Sequence, residues 1–294
     1  DYLNTYTEAS GLNDWYIGVY GTAYPTELLL AQTWNKDLAE RVGEAEGAEY
    51  ADCRIFGTYS PAMNIHRSPF SGRNYEYYSE DGFLSGKMAA AEVIGIQSKG
   101  VNCYNKHFAV NDQETNRDAG GLVTWVNEQA MREIYLKGFE VAVKEGEAMG
   151  IMSSFNRIGT VPTAESYPLL TTVLRNEWGF KGCVITDCVM ACVTEDVNQS
   201  LLAGNDLQLT VLGQLKILTD TPVQRQALRR ATKNIFYMIV NGDSLNYIRT
   251  SMPTIEKVLI VIDIIIAALF VLYYVKRHKK MARWKASQKE VVEK

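Results

Sequence analysis

Histidine is scarce in this chain. Only His66, His107 and His278 occur among 294 residues, and they do not form a metal-binding set. Also missing are the Gly-x-Ser-x-Gly elbow, the His-Glu-x-x-His helix, the P-loop and the dinucleotide fingerprint. Metal hydrolysis and Ser-His chemistry lose most of their ground with them, and no cofactor is expected. Cysteine is sparse and odd in number: Cys53, Cys103, Cys183, Cys188 and Cys192 do not pair off into a disulfide framework. The last three have neither a His nor a fourth Cys beside them, so they read as small buried hydrophobes rather than a metal cluster.

Positive charge is short in the body of the chain and concentrated at its end. Residues 255–294 carry nine Lys/Arg against four Asp/Glu, while the remainder carries 21 against 30. An acidic body excludes nucleic acid as the expected partner, because phosphates call for a basic surface. What is present is ordinary globular composition, 47% hydrophobic and 22% charged, which supports a full core.

The basic end follows "VLIVIDIIIAALFVLYYV", residues 258–275, with Asp263 its only charge. Eighteen residues lie within the range of a spanning helix. A central Asp costs roughly 2.5–3.5 kcal/mol, but each Leu, Ile, Val or Phe returns about 0.3–0.6 kcal/mol, so insertion is favoured. Seven basic or His residues follow in "KRHKKMARWK". The positive-inside rule then puts the tail in the cytoplasm and the body outside, in contact with membrane lipid through one helix. The competing reading is a buried core helix. An exported body should have a leader, yet "DYLNTYTEAS" offers neither Met nor an apolar stretch. A signal peptide or a whole domain is therefore expected upstream of Asp1.

Within the body, short β-rich runs at residues 54–59, 101–104, 148–154, 183–186 and 203–207, with a weaker one at 16–19, alternate with helical stretches. The helices are "LLLAQTWNKDLAERVGEAEGAEY", "LSGKMAAAEVIGIQSK", "VNEQAMREIYLKGFEVAVKEG" and "SYPLLTTVLRNEWG". Such alternation gives parallel strands with right-handed crossovers, in a doubly wound sheet or a barrel. Five or six strands fall short of the eight of a closed barrel.

Polar clusters sit where each strand gives out: "SPAMNIHRSPFSGRNYEYYSEDG", "KHFAVNDQETNR", "SFNRIGT", "TDC" and "AGND". In a β/α barrel that end carries the active site. Asp187 follows the buried run "GCVI" and has Lys106, His107, Arg67, Arg73 and Arg157 at neighbouring strand ends. A carboxylate in that setting is a nucleophile toward an electrophilic carbon or a structural ion-pair partner; spacing alone fits both. Asn, Asp, Lys, His and Arg among aromatics suit a polyhydroxylated ligand, since each hydroxyl both donates and accepts.

At these residues the sequence resembles the barrel domain of the family-3 glycoside hydrolases. "GRNYEYYSEDGFLSG", "KHFAVNDQETNR", "MSSFNRIG", "LLTTVLRNEWGFKGCVITD" and "AGNDL" occur in the family's order, over about residues 21–241. The resemblance implies an α/β fold: a TIM-like (β/α)8 barrel over residues 1–250, incomplete at its N-terminal part. A linker (251–257), a single transmembrane helix (258–275) and a basic tail (276–294) complete the expected organisation.

It further implies a retaining, exo-acting β-glycosidase of β-glucosidase type. Asp187 would be the nucleophile, and Lys106, His107 and Arg73 would bind hydroxyls of the terminal sugar. Asn156, Arg157 and Arg67 would stand in the same wall, and Glu76 would hold Arg73. The partner would be an oligosaccharide or other β-glycoside. Three departures accompany the likeness. The family's Asp-Gly-Pro element is replaced by "TEASGLNDWYIG". The acid/base Glu is expected from a separate α/β sandwich domain, upstream in a reversed order. "KHFAVND" lacks the His-Asp dyad loop of the N-acetylglucosaminidase branch. The competing reading is a membrane-anchored sugar-binding domain without turnover.

Overall fold

The computed structural model describes residues 21–117, 121–188, 196–210, 220–243 and 254–292. Contacts divide the chain into two compact units, residues 1–246 and 247–294.

The first unit is built on four parallel strands, β1 (Gly57–Thr58), β2 (Asn102–Phe108), β3 (Gly150–Ser153) and β6 (Cys183–Thr186). Their order in the sheet is β1-β2-β3-β6. A separate antiparallel hairpin, β4 (Arg157–Ile158) and β5 (Val161–Pro162), follows β3. Helices alternate with the sheet strands. α1 (Glu27–Ala31) and α2 (Lys36–Asp52) precede β1, and α3 (Gly82–Gln97) links β1 to β2. α4 (Lys137–Lys144), entered through a π-helical turn at Met131–Tyr135, links β2 to β3. The π-helix α5 (Pro168–Glu177) links β3 to β6, and α6 (Val197–Ala203) and α7 (Pro222–Asn241) follow. Sheet order that follows chain order is the winding of a barrel; a doubly wound sheet reverses at a switch point. A parallel bridge from Ile185 to Leu207 carries the order one step further.

The strands are apolar on both faces, as buried parallel strands must be. Ile151 and Val184 join Met88 of α3, Phe139 of α4 and Leu170 and Leu174 of α5 in the main core. Their neighbours Met152, Cys183 and Ile185 point the other way, with Tyr104, and meet Ile235 and Met238 of α7. Period-two alternation thus splits each strand between two apolar layers. On the helical side, α2 and α3 approach through small residues. A Cβ on Gly95 would lie 2.1 Å from the Glu40 carbonyl oxygen, so no side chain fits there. Asp81 starts α3 by accepting the N–H groups of Phe83 and Leu84 at 2.7 and 2.8 Å, a cap worth about 1 kcal/mol.

The structure revises several boundaries. The expected strand at 54–59 shrinks to Gly57–Thr58 because the exit of α2 consumes its start: Arg54 has φ 58° and the Ile55 N–H returns to the Tyr50 carbonyl. β2 runs past 104 to Phe108, since pairing with β3 resumes beyond a bulge at Phe108–Ser153. Lys106 and His107 therefore belong to the strand itself and not to a loop after it. The expected strand at 203–207 is a single bridge, because Ala203 ends α6 and Gly204 caps it at φ 132°. The expected strand at 16–19 lies outside the described residues.

Cys53, Cys103, Cys183 and Cys188 are free thiols, Cys103 and Cys183 buried; Cys192 lies outside the described residues. No group of His, Cys, Asp and Glu suited to a metal ion occurs among the described residues.

The second unit contains one helix, α8 (Thr254–Val292). The expected linker and tail are therefore helical over 254–257 and 276–292, the tail being rich in Lys, Arg, Ala, Met and Gln, all good helix formers. Within α8, Val258–Met281 is long and apolar enough to cross a membrane.

Candidate active site

The strand ends bring together residues far apart in the chain. β3 and β6 pair in register to Ser153–Thr186, and the next N–H, that of Asp187, reaches the Ser153 carbonyl at 3.0 Å. Asp187 is thereby fixed to the sheet at the C-terminal end of β6. Its Oδ1 accepts the Cys188 N–H at 2.7 Å. Its Oδ2 faces Arg117 Nη1 at 3.4 Å and His107 Nε2 at 3.9 Å. The side chain retains 13% of its surface exposure, so it is reachable from solvent.

From Asp187 a row of alternating charges leads outward. Arg117 Nε donates to Glu114 Oε2 at 3.0 Å, and Glu114 Oε1 lies 3.7 Å from Arg73 Nη1. Arg73 Nε donates to Glu76 Oε1, whose other oxygen meets Lys106 Nζ at 3.2 Å. Three acids and three bases so interleaved hold each other's side chains in place, and bidentate use of a guanidinium fixes its plane as well as its position. Asn111 adds a hydrogen bond to Glu114 Oε1 at 3.0 Å and another to the Tyr77 hydroxyl at 3.1 Å. The Arg117 guanidinium lies 4.9 Å above the Phe155 ring, a cation–π contact.

His107 is 2% exposed. Burial, and then the charges of Arg73, Lys106 and Arg117, push its pKa well below the ordinary histidine value. It is a neutral imidazole, oriented by Asn64: Asn64 Oδ1 accepts the His107 N–H at 2.8 Å and lies 3.4 Å from Nδ1, while Asn64 Nδ2 donates to the His107 carbonyl at 2.9 Å.

Of the residues expected in the site, Asp187, His107, Arg73 and Lys106 are thus joined in one network with Glu76. Arg67 stands elsewhere: its guanidinium lies 5.6 Å over the Tyr135 ring, in a cavity shared with Asp112 and Trp125. Arg157 opens β4, where its charge acts on Glu165. Asn156 is fully buried, and neither of its side-chain amide atoms has a protein partner among the described residues.

The "AGND" cluster has a structural job. Asp206 takes Arg175 at 2.6 Å, the Val184 N–H at 2.9 Å and Asn234 at 2.9 Å, and Asn205 bonds Ser153 and Ala164. Sequence reasoning overlooked Arg117, Glu114 and Asn64. The first two lie inside the block "KHFAVNDQETNR", whose closing Arg was the available signal.

Comparison with known proteins supplies independent findings. The family model described as the glycosyl hydrolase family 3 N terminal domain matches residues 11–235. Beta-glucosidase A of Butyrivibrio fibrisolvens is 44% identical over 214 residues, 73% of this chain and 25% of that protein. An exo-alpha-(1->6)-L-arabinopyranosidase of Bifidobacterium longum is 41% identical over 204 residues, 68% of this chain and 26% of that protein. The structure of beta-glucosidase 3B from Thermotoga neapolitana in complex with glucose superposes with a TM-score of 0.70 at 39% identity, covering 81% of this chain and 35% of that one. The shared fold is a TIM-barrel-like α/β domain. This chain spans about a quarter of the length of the curated relatives it matches.

Proposed function

The chain belongs to glycosyl hydrolase family 3, and on that premise we propose that it carries the nucleophile of a retaining, exo-acting β-glycosidase of the β-glucosidase type. The observation that carries the reading is Asp187: a carboxylate anchored to the sheet, partly open to solvent, with Oδ2 turned toward His107 and Arg117. In this reading an Asp187 oxygen attacks C1 of the terminal sugar, and the bond from C1 to the aglycone oxygen breaks. The departing oxygen takes a proton from a second carboxyl group. Water then gives a proton to that same carboxylate and attacks C1, the ester bond to Asp187 breaks, and the configuration is retained. Lys106, His107 and Arg73 bind sugar hydroxyls while positive charge develops at the anomeric carbon; rigid, pre-oriented donors lower that barrier because they need no rearrangement. Asn156 and Arg157 are proposed to complete the sugar wall, whereas Arg67, seated over Tyr135, stands outside it.

The second carboxyl is assigned to another domain, an α/β sandwich expected upstream. The acids of the charge row support this assignment, because Glu114 and Glu76 are each engaged by arginine and so are taken up in bracing the site. The same observation favours one alternative, a sugar-binding domain without turnover. Helix α8 is read as a single-pass membrane anchor, with the barrel outside and the basic tail in the cytoplasm, on the strength of Val258–Met281 and the charges that follow.

Hydrolysis of an aryl β-glucoside with an activated leaving group separates the two readings, since such a group departs with little acid assistance. Turnover that disappears in Asp187→Asn supports the hydrolase. Glucose binding with no turnover favours the binding domain.

A further inference from the structure

Beside the row of ion pairs, and lined in part by Asp112 and Gln113, lies a cavity of about 480 Å³, a size within the range of small-molecule sites. Its lining combines the apolar Leu122, Val123 and Trp125 with the polar Arg67, Asp112 and Gln113. Trp125 is 78% exposed and Val123 40% exposed, so neither side chain is there to fill a core. Yet the backbone beneath them is held firmly. The Thr124 N–H donates to the Arg157 carbonyl at 3.0 Å, and the Gly159 N–H returns to the Thr124 carbonyl at 2.9 Å, which pins the segment to the β4–β5 hairpin. Gly159, at φ 59°, lies beside the indole: a Cβ there would be 3.7 Å from the ring. In the same lining, Arg67 rests over the Tyr135 ring at 5.6 Å, and Asp112 is fixed by accepting the Ile65 N–H at 2.8 Å.

We propose that this cavity is a second carbohydrate site, which takes one neutral pyranose ring of a β-glucan chain beside the catalytic cup. A pyranose has an apolar face of axial C–H groups and a perimeter of hydroxyls. The exposed indole matches the first, and the guanidinium, carboxylate and amide in the same lining match the second. A large aromatic held out into solvent on a rigid backbone binds without ordering cost, and aromatic anchors of this kind carry most of the energy of a recognition surface. The cavity also shares its wall with the cup. Asp112 and Gln113 face it, while the next residue, Glu114, holds Arg117 and Arg73. The proposal rests on the hydrolase reading only for the choice of glycan; binding here does not require Asp187.

The test is native affinity electrophoresis of the full chain, in detergent, through gels containing a soluble β-glucan. The parent and Asp187→Asn should be retarded equally. Trp125→Ala should raise the apparent dissociation constant about tenfold, Trp125→Phe should retain most of the retardation, and Gln113→Ala, at an exposed polar residue of the same lining, should lose several-fold. Retardation of Trp125→Ala and Gln113→Ala equal to the parent overturns the proposal, as does absence of retardation in the parent, or its loss in Asp187→Asn alone. A parent that binds the gel but hydrolyses no glycoside leaves this site standing and removes only the hydrolase reading.

Discussion

Arg117 Nη1 lies 3.4 Å from Asp187 Oδ2, across 70 residues of sequence. The contact exists because β2 and β6 flank β3 in one parallel sheet, so that the segment leaving β2 and the residue leaving β6 meet above the same edge. Glu114 then ties Arg117 to Arg73, which arrives from the β1 side. One carboxylate thus sets the positions of two guanidinium groups.

Arg117 and Glu114 are therefore expected to matter for rate more than for folding. Arg117→Lys, which loses the planar fork, should lower kcat/KM for an activated aryl glucoside about a hundredfold. Glu114→Gln should lower it about tenfold, mainly in kcat, because both arginines lose their shared brace. Steady-state kinetics alongside thermal unfolding check this. Full activity in Glu114→Gln would show that the arginines hold their places without it.

His107 should stay neutral across the physiological range. Its folded pKa is depressed by burial and by three cations, whereas the unfolded chain protonates near 6.5. Below about pH 6.5 the unfolded state takes up a proton that the folded state refuses, so this residue costs stability as pH falls. The His107 imidazole signals in an NMR titration should not move between pH 5 and 8. A midpoint near 6.5 would contradict the burial argument.

A second group, buried Glu92 with half-buried Glu27 and Glu46, has the opposite sign. Burial, followed for Glu46 and Glu92 by mutual repulsion within the group, raises Glu27 and Glu46 to about 7 and Glu92 well above the usual carboxyl value. Tyr78 donates to Glu92 at 2.6 Å. The unfolded chain ionises near 4.3, so the stability these groups allow is complete in acid and is lost as pH rises toward and through 7. Glu46→Gln should raise stability at pH 8 by about 1 kcal/mol, some 2–4 °C in Tm, and add nothing at pH 4. An equal gain at both pH values would locate the effect in packing and not in charge.

The fold was legible wherever burial imposed an unbroken apolar run. "CVIT" was expected at 183–186 and is β6 over those residues. It was least legible where one residue ended an element. Trp34 at φ 54° and the Asn35 cap divide a helix that reads as continuous into α1 and α2. Helix α7 was not anticipated, although Thr221 followed by Pro222 is a start signal that could have found it. In the site, Asp187 and His107 could be recognised because they stand at the ends of legible strands. Arg117 was harder, since only the return of its loop across the sheet shows what it faces. Arg67 is expected in the site because it follows a strand end beside Asp187, but the turn after Ser68 carries Arg73 and Arg67 to different neighbours.

The anchor reading predicts partition. The full chain, mixed with phospholipid vesicles during synthesis, should float with them and resist alkaline carbonate, while a chain ended after Asp243 should stay in the soluble fraction. Extraction of the full chain by carbonate would rule out a spanning helix.

The most direct test of the central claim is mass mapping of the full-length protein after treatment with an activated 2-fluoro-β-glucoside. The account predicts a single fluoroglucosyl ester on the peptide that contains Asp187, absent from Asp187→Asn. Inactivation with the label on another carboxylate, or no covalent adduct at all, would contradict it.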